Sequence, residues 1–318
     1  SAVQTLNILM LMTGSNSYDE LMSQLDEALS YYGDAINYGY NPDFDPRPIV
    51  GDDYNNSSER YYGNNDVKGP DPSHGTHVAG IIAAKRNNNI GMNGIADNVE
   101  IMVVRVVPNG DERDKDVANG IRYAADNGAS VINMSFGKKF VHDKKVVDEA
   151  IKYAESKDVL LIHAAGNDGE DIDVEKFYPS RQFLKGQAKN WIEVGAISWK
   201  DAADMAASFS NYGKKNLDLF APGVDIYSTF PENTYEFQQG TSMAAPVVSG
   251  VAAILFSYFP ELKTADIKKA LLTSVVKYDG VNVTRPGGED LVLFSNLSRT
   301  GGVVNLYNAV KVCMGMLK

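Results

Sequence analysis

The sequence predicts an α/β protein with a doubly wound, mainly parallel sheet flanked by helices. Three observations support this fold class. From about residue 99 onward, short apolar runs typical of buried strands alternate with helical patterns. The run that begins at Val159 ends in a glycine-flanked asparagine, Asn167, and α/β proteins place their sites at such strand ends. A long apolar stretch, Met243 to Phe256, predicts a buried helix.

The composition limits the possible functions. With 318 residues, of which 44% are hydrophobic, the chain can bury a substantial core. A net charge of −11 argues against binding to nucleic acids or anionic membranes, because their phosphates would be repelled. No apolar run reaches the roughly 18 residues of a membrane span, so the sequence predicts none. We divide the chain into a helical insertion and loop segment, residues 1–68, packed on a main domain, residues 69–318.

Cysteine usage and the first residues leave the cellular compartment open. Cys313 is the single cysteine and cannot form an internal disulfide. The chain does not begin with a basic and then apolar signal segment. Such a segment was either removed or was never part of this sequence.

The N-terminal region predicts one clear helix. Tyr18 to Tyr32 has an amphipathic pattern, with Ser17 and Glu20 spaced as a capping box at its start. Pro48 to Gly51 is a short strand-like run. The polar stretch from Tyr40 to Pro72 is expected to pack over the helix and to lead the chain into a histidine-containing segment.

The remaining elements follow in alternation. The apolar runs predict strands at Val99 to Val107, Val131 to Gly137 and Trp191 to Ser198, and the run Val159 to Gly169 predicts a buried strand that ends in the glycine-flanked asparagine. The amphipathic stretches between them predict helices at Asp116 to Asn127 and Lys144 to Ser156. This order is that of a parallel sheet with crossover helices.

The segment Gly240-Thr241-Ser242-Met243-Ala244-Ala245-Pro246 brings one serine to the start of the long apolar helix. Pro246 lies near the first turn, where a missing N–H is tolerated. A helix N-terminus carries unpaired N–H groups and partial positive charge, which suits a nucleophile beside developing negative charge. Taken alone, Ser242 could equally be a helix cap.

A second segment, His74-Gly75-Thr76-His77-Val78-Ala79-Gly80, also leads into an apolar helix. A zinc protease helix would contain H-E-x-x-H, and this segment has neither the glutamate nor that spacing. Four histidines and one cysteine in the whole chain make a structural zinc site a poor interpretation. A lone histidine would ordinarily be a structural residue of the core or surface. The serine segment in the same chain favours a functional role here.

Together, the two segments resemble those of the subtilisin-like serine proteases, or subtilases, in form and in order. The similarity continues from about Gly69 to about Val310 and implies the subtilisin-like fold. By this resemblance, Ser242 is the nucleophile, His74 the general base and His77 a structural residue. Further segments that resemble the family lie at Ala206 to Tyr212, Leu217 to Thr229, and Gly301 to Val310.

The resemblance also implies an oxyanion site and a substrate-binding edge. Asn167 matches the asparagine whose amide donates to the tetrahedral oxyanion, although an Asn-Asp-Gly turn is the alternative. Ser135-Phe136-Gly137 resembles the backbone edge that pairs with an extended peptide. The walls of the pocket for the residue before the scissile bond are then expected to be Ser135, Phe136, Gly137, Ala164, Ala165 and Gly166.

Phe177 departs from the family pattern. The stretch Phe177-Tyr178-Pro179 aligns with a Gly-Tyr-Pro-like stretch in which glycine leaves the pocket floor open. A phenylalanine at this position is expected to fill the pocket and to favour small or medium substrate side chains. The alternative is a loop shift that turns the ring into the core.

The aspartate that orients the histidine in subtilases has no counterpart in this sequence. It belongs to an apolar-Asp-(Ser/Thr)-Gly box before the histidine, and the nearest imitation, Ile8 to Gly14, has Met12 in its place. The helix at Tyr18 resembles the insertion that some members carry between the aspartate and histidine boxes. We therefore expect the aspartate and its strand to lie upstream of Ser1, so that the chain alone is weak or inactive.

Four of the aspartates that precede His74 could act as substitutes: Asp52, Asp53, Asp66 and Asp71. All four lie in polar loops or beside a short apolar run. Solvation of these loops is the better interpretation of each.

The segment Arg86 to Gly94 resembles a calcium-binding loop of subtilases. By this resemblance Asn88 supplies a side-chain oxygen, and Arg86, Ile90 and Met92 supply main-chain carbonyls. The family's aspartate ligand comes from the missing N-terminal region, so a weak or vacant site is expected. No cofactor is required, and an asparagine-rich turn without metal is the alternative.

The sequence therefore indicates a serine endopeptidase that acts on proteins or peptides, either secreted or in the cell envelope. The alternative function is a non-catalytic subtilase fold kept for peptide binding or partner docking. The expected gap in the sheet favours an N-terminal segment or a partner that supplies the missing strand.

Overall fold

The computed structural model describes residues 4–6, 9–10, 17–200 and 202–317. The chain forms two compact units, residues 1–64 with 107–112 and residues 65–106 with 113–318. The apolar run Ile8 to Gly14 falls largely outside the described residues. Its interpretation as an imitation of the aspartate box stays a prediction.

The smaller unit contains the predicted amphipathic helix. This helix, α1, spans Tyr18–Asp34 and continues into a π-helical turn, Ala35–Gly39. The strand-like interpretation of Pro48 to Gly51 is wrong, because Arg47–Val50 forms a short helix, α2. Proline in the first turn suits a helix start, and Gly51 ends it with a φ of 82°.

The larger unit contains the sheet that the alternating pattern predicts. Six strands lie in the order β1-β2-β3-β4-β10-β7, and all neighbours are parallel except β10 and β7. The strands of this sheet are β1 Val131–Met134, β2 Leu160–Ala164, β3 Trp191–Ile197, β4 Leu219–Pro222, β7 Val276–Lys277 and β10 Gly302–Val303. The doubly wound, mainly parallel fold class is confirmed.

Helices cover both faces of the sheet because successive strand residues point to opposite sides. On β2, Leu160 and Ile162 belong to the core beneath one set of helices, and Leu161 belongs to the core beneath the other. The helices of the larger unit are α3 Ser73–Ala83, α4 Asp114–Asp126, α5 Lys144–Ser156, α6 Thr241–Tyr258, α7 Thr264–Thr273 and α8 Leu306–Met316. Helices α4 and α5 lie on one face, whereas α6, α7 and α8 lie on the other.

Helix α6 is the central helix of its face. Its length and apolar composition would suffice for a membrane span, but most of it is buried in the core against the sheet. It is the helix that the run Met243 to Phe256 predicts, with one or two residues added at each end.

Two antiparallel hairpins complete the larger unit. Strands β5, Ile226–Phe230, and β6, Thr234–Gln238, form the first hairpin directly before α6. Strands β8, Asn282–Thr284, and β9, Leu291–Leu293, form the second.

The predicted strand at Val99 to Val107 is wrong, because this segment forms no strand. A cavity of about 1070 Å³ lies along it, and β1 lines the other side. Its side chains remain partly exposed to solvent, Ile101 by 43% and Val103 by 52%. A strand is defined by hydrogen bonds to a neighbour. Across this cavity, no strand of the described residues pairs with β1 or with the segment.

Candidate active site

The hairpin β5–β6 delivers Ser242 to the start of α6. Gly240 joins the two elements with a φ of 149°, a backbone conformation that favours glycine. Ser242 is half-buried at the second position of the helix, between the buried residues Thr241 and Met243. Ser242 therefore lies in the first turn of α6.

Two reciprocal hydrogen bonds tie Ser242 to the end of β1. The Ser242 hydroxyl donates to the Ser135 carbonyl at 3.3 Å, and the Ser135 hydroxyl donates to the Ser242 carbonyl at 2.9 Å. The Asn133 amide donates to Ser135 Oγ, and Ser249 Oγ donates to Asn133 Oδ1. A polar chain thus links the serine to the edge of the sheet.

Asn167 lies just beyond β2 and faces the same helix start. Its Oδ1 accepts from the Thr241 N–H at 2.8 Å and from the Thr241 hydroxyl at 3.0 Å. The amide nitrogen lies 3.4 Å from where a Cβ of Gly240 would be. Because Thr241 donates twice to the oxygen, the nitrogen is the donor end of the Asn167 side chain.

His77 connects α3 to the hairpin. Its Nε2 lies 3.0 Å from the Ile226 carbonyl and 3.1 Å from the Glu236 carbonyl, so it carries the hydrogen. The ring is fully buried. Burial lowers the pKa of His77, and the two carbonyl contacts oppose this shift. These contacts fix α3 to the end of the hairpin that continues into Gly240.

His74 lies one helical turn before His77. Loss of hydration is the main cause that lowers its pKa. The charge of His77 lowers it further, and Asp71 opposes both. Among the residues that the structure describes, no hydrogen bond joins His74 to Ser242, whose hydroxyl donates to Ser135 instead. The two helices nevertheless pack together, since a Cβ on Gly250 would lie 3.5 Å from the Ile82 carbonyl.

The four aspartates before His74 have local partners. Asp52 pairs with buried Arg47 at 3.0 Å, and Asp53 accepts from the Asn55 N–H. Asp66 accepts from the Gly69 N–H, which lowers its pKa, and lies 3.3 Å from Arg105. Asp71 accepts from the Ser73 N–H at 2.9 Å. Asp71 is the one whose charge acts on His74.

Phe177 lies between two of the predicted pocket residues. A Cβ on Gly137 would be 2.4 Å from the Phe177 ring, and one on Gly166 would be 3.0 Å from it. Both positions therefore need glycine to accommodate the ring. Ala164 and Ala165 are buried nearby at the end of β2.

The segment Arg86 to Gly94 offers only neutral oxygens. The Arg86 guanidinium donates to the Gly94 and Ile95 carbonyls, and Asn88 Oδ1 accepts from the Ile90 N–H. The described part of the chain contains no group of three or more His, Cys, Asp or Glu that could hold a metal. Calcium prefers sites with carboxylates, so this donor set fits the ion poorly.

The cavity beside β1 reaches the helix of His74. Gly75 and Val78 of α3 line one end, and Asn133 and Ser249 of the polar chain also line it. Helices α4 and α6 close its two faces through Ile121 and Ala253. The cavity is therefore bounded on two sides by β1 and by residues 99–106, and by helices above and below. An interior strand of this sheet would have neighbours in the same places.

Sequence reasoning missed one buried pair beside the site, His163 and Glu193. His163 Nδ1 lies 2.6 Å from Glu193 Oε1 on the neighbouring strand. The signal was present in the sequence, because a histidine inside the apolar run Leu160-Leu161-Ile162-His163-Ala164 is unusual for a buried strand.

The chain is similar to known proteins over the segments described above. The subtilase family model matches residues 21–295. A thermophilic serine proteinase of Bacillus sp. (strain AK1) is 38% identical over 242 residues, covering 76% of this chain and 55% of that protein. A cell wall-associated protease of Bacillus subtilis (strain 168) is 39% identical over 233 residues, covering 72% of this chain and 24% of that protein.

A solved structure of proteases from Pseudoalteromonas arctica superposes with a TM-score of 0.62 and 29% identity. The match covers 76% of this chain and 70% of that one. The chain spans little more than half of the first Bacillus proteinase and about a quarter of the second. Because the family model matches most of the chain, including the segments of His74, Asn167 and Ser242, this protein belongs to the subtilase family.

Proposed function

We propose that this protein is a serine endopeptidase with Ser242 as nucleophile, His74 as general base and Asn167 as oxyanion donor. The observation that carries the proposal is the arrangement at the start of α6, where the residue directly before Ser242, Thr241, holds the oxygen of the Asn167 amide. Membership of the subtilase family supports it.

The reaction would proceed in two halves. Ser242 Oγ attacks the peptide carbonyl while its proton passes to His74, and negative charge develops on the carbonyl oxygen. The Asn167 amide and the Ser242 backbone N–H donate to that oxygen. His74 then gives the proton to the leaving amine, and water releases the acyl group by the same steps.

In this mechanism the Ser242 hydroxyl must exchange its acceptor. It now donates to the Ser135 carbonyl at 3.3 Å, which is a long bond. A rotation about χ1 would turn the hydroxyl from Ser135 towards His74. An aspartate behind His74 would favour this exchange by fixing the ring orientation.

We propose that this aspartate arrives on a strand that occupies the cavity beside β1. The cavity is bounded by the β1 edge, by the apolar segment 99–106 and by helices on both faces, and it ends beside Gly75. A strand there would pair with β1 and bring its last residues next to His74. An N-terminal segment or a partner would supply this apolar run, which ends in Asp-(Ser/Thr)-Gly, because residues 1–16 contain no aspartate.

The substrate is proposed to be a protein or peptide bound in extended form along Ser135, Phe136 and Gly137. The Phe177 ring between Gly137 and Gly166 favours small or medium side chains before the scissile bond. A location outside the cell or in its envelope is proposed as well, since one relative is named a cell wall-associated protease.

Calcium binding at Arg86, Asn88, Ile90 and Met92 is proposed to be weak at most, because the loop offers neutral oxygens alone. Thermal unfolding of the chain should therefore change little between calcium and a chelator. A large stabilisation by micromolar calcium would contradict this.

A non-catalytic peptide-binding protein is the second candidate. One observation favours it, namely that Ser242 donates to Ser135 and makes no hydrogen bond with His74 among the described residues. Reactivity separates the two candidates, because a binding protein has no need of an activated serine.

The test is labelling by a fluorophosphonate probe, with and without a synthetic peptide that carries an apolar-Asp-Thr-Gly strand. We expect slow labelling that the peptide accelerates, no labelling of Ser242→Ala, and about 100- to 1000-fold slower turnover for Asn167→Ala, as known from subtilisin. Absence of labelling under both conditions would favour the non-catalytic function.

A further inference from the structure

The pair His163–Glu193 lies directly behind the proposed substrate-binding edge. His163 is fully buried on β2, and Glu193 is 5% exposed at the matching register position of β3. His163 Nε2 lies 2.9 Å from the Phe136 carbonyl. The pair therefore connects the interior of the sheet to the middle residue of Ser135-Phe136-Gly137.

The Phe136 carbonyl determines which nitrogen of His163 carries hydrogen, and Glu193 contacts the other nitrogen. Glu193 Oε2 accepts from the Trp191 indole N–H at 2.6 Å, and Oε1 faces His163 Nδ1. A carbonyl oxygen can only accept, so Nε2 must donate to Phe136. The hydrogen between Nδ1 and Oε1 can lie on either atom without changing this.

Other charges around the pair hold Glu193 in place. The Glu193 backbone N–H donates to Asp218, which in turn binds the guanidinium groups of Arg181 and Arg299. The ring of His163 also packs against Trp191 and Phe177, with centroid distances of 5.1 and 5.9 Å. The imidazole is thus held by polar contacts at both nitrogens and by aromatic rings.

Fixing the Phe136 carbonyl also fixes the amide that follows. In a trans peptide the C=O and the next N–H point in opposite directions. With the Phe136 oxygen turned inward to His163, the Gly137 N–H faces away from the interior. It donates to no backbone acceptor within the described residues, whereas the next amide, Lys138, donates to Tyr178.

We propose that His163, oriented by Glu193, is a positioning residue that presents the Gly137 N–H to an extended peptide. This inference rests on the proposed function, because that function names the extended peptide as substrate. The contacts of His163 do not depend on it. His163 acts through the Phe136–Gly137 peptide, so it contributes to binding of substrate residues beyond the first.

The first test needs no variant and no turnover. Long-range ¹H–¹⁵N correlation spectra of the imidazole rings in the full chain at pH 7 report which ring nitrogen carries hydrogen. We expect hydrogen on His163 Nε2, with assignment from the spectrum of His163→Gln. A ring protonated at Nδ1 alone would overturn the proposal.

The second test compares two probes, acetyl-tetra-alanine and acetyl-alanine, whose binding is followed through amide chemical shifts. In the unaltered chain the longer peptide should bind more tightly and shift the Gly137 amide. His163→Leu should lower the advantage of the longer peptide about 10-fold, the value of one well-oriented hydrogen bond. His163→Gln keeps a donor and should restore part of it.

Ile162→Val is the matched control, because Ile162 is a fully buried neighbour on β2 that faces the opposite core. It should leave the advantage of the longer peptide unchanged. The positioning role would be overturned if the longer peptide kept its advantage in His163→Leu. It would also be overturned if Ile162→Val lowered that advantage equally. Failure of the labelling test at Ser242 would leave both results interpretable, because neither measurement requires hydrolysis.

Discussion

The surroundings of His74, the proposed general base, lower the pKa of its imidazole. Its pKa lies below the ordinary 6.5, chiefly through lost hydration and also through the charge of His77, whereas Asp71 opposes both. A general base acts in its neutral form. The lowered pKa keeps His74 neutral to lower pH, so the acid limb of fluorophosphonate labelling should fall below pH 6.5.

Asp71→Asn removes the charge that raises the His74 pKa. The acid limb should therefore move to still lower pH, as measured by the labelling rate of Ser242 across pH 4 to 8. Asp66→Asn is the matched control, since Asp66 is a loop aspartate that does not act on His74. Equal shifts in both variants, or a shift to higher pH for Asp71→Asn, would contradict the assignment.

We propose that the Phe177 ring limits the volume of the pocket for the substrate residue before the scissile bond. Phe177→Gly should open the space between Gly137 and Gly166 and increase cleavage after large aromatic residues about 10-fold or more, as for loss of a steric block. A peptide library cleaved in the presence of the strand peptide measures this. A preference for Phe or Tyr that Phe177→Gly does not change would contradict it.

Among the elements, β1 and the apolar segment 99–106 have no strand partner across the cavity within the described residues. Both line the cavity of about 1070 Å³, and Val103 of the segment is 52% exposed. An added strand would bury this surface and satisfy the β1 edge. We expect the apolar-Asp-Thr-Gly peptide to raise the thermal midpoint of the chain by several degrees.

Val103→Glu should prevent this stabilisation, because a carboxylate would have to be buried against the bound strand. Val174→Glu is the control, since Val174 is 74% exposed and lies outside the cavity lining. Differential scanning fluorimetry of both variants with and without the peptide measures the effect. An equal response of the two variants would show that the peptide binds elsewhere.

Within the larger unit as a whole, Asp218 connects several parts of the chain. It is fully buried and binds Arg181, Arg299 and the Glu193 backbone, so it joins β3, β4 and two loops. Asp218→Asn would remove the carboxylate that contacts the buried Arg181 guanidinium and leave only the charges of Glu193 and Asp173 to compensate it. Urea unfolding should show a loss of about 3 to 5 kcal/mol.

Asp290→Asn provides the comparison, because Asp290 pairs with Arg285 at the surface and both side chains are well exposed. Its cost should be below about 1 kcal/mol. Similar losses for the two variants would show that the buried cluster contributes no more than a surface pair.

Local patterns were sufficient for most elements and for part of the site. Helix α5 spans Lys144–Ser156 as predicted, and the apolar run before Phe256 forms α6. The segments of His74, Asn167 and Ser242 identified the family, because the residue types and spacing of each short run can be seen directly in the sequence.

The tertiary structure decided what depends on distant partners. Residues 99–107 have strand composition but form no strand, because pairing needs a neighbour that the described residues do not supply. The place of Phe177 between two glycines and the pair His163–Glu193 depend on residues brought together from different strands and loops. Periodicity within a segment records which face is buried, whereas hydrogen bonds and ring contacts between segments are set only when the sheet assembles.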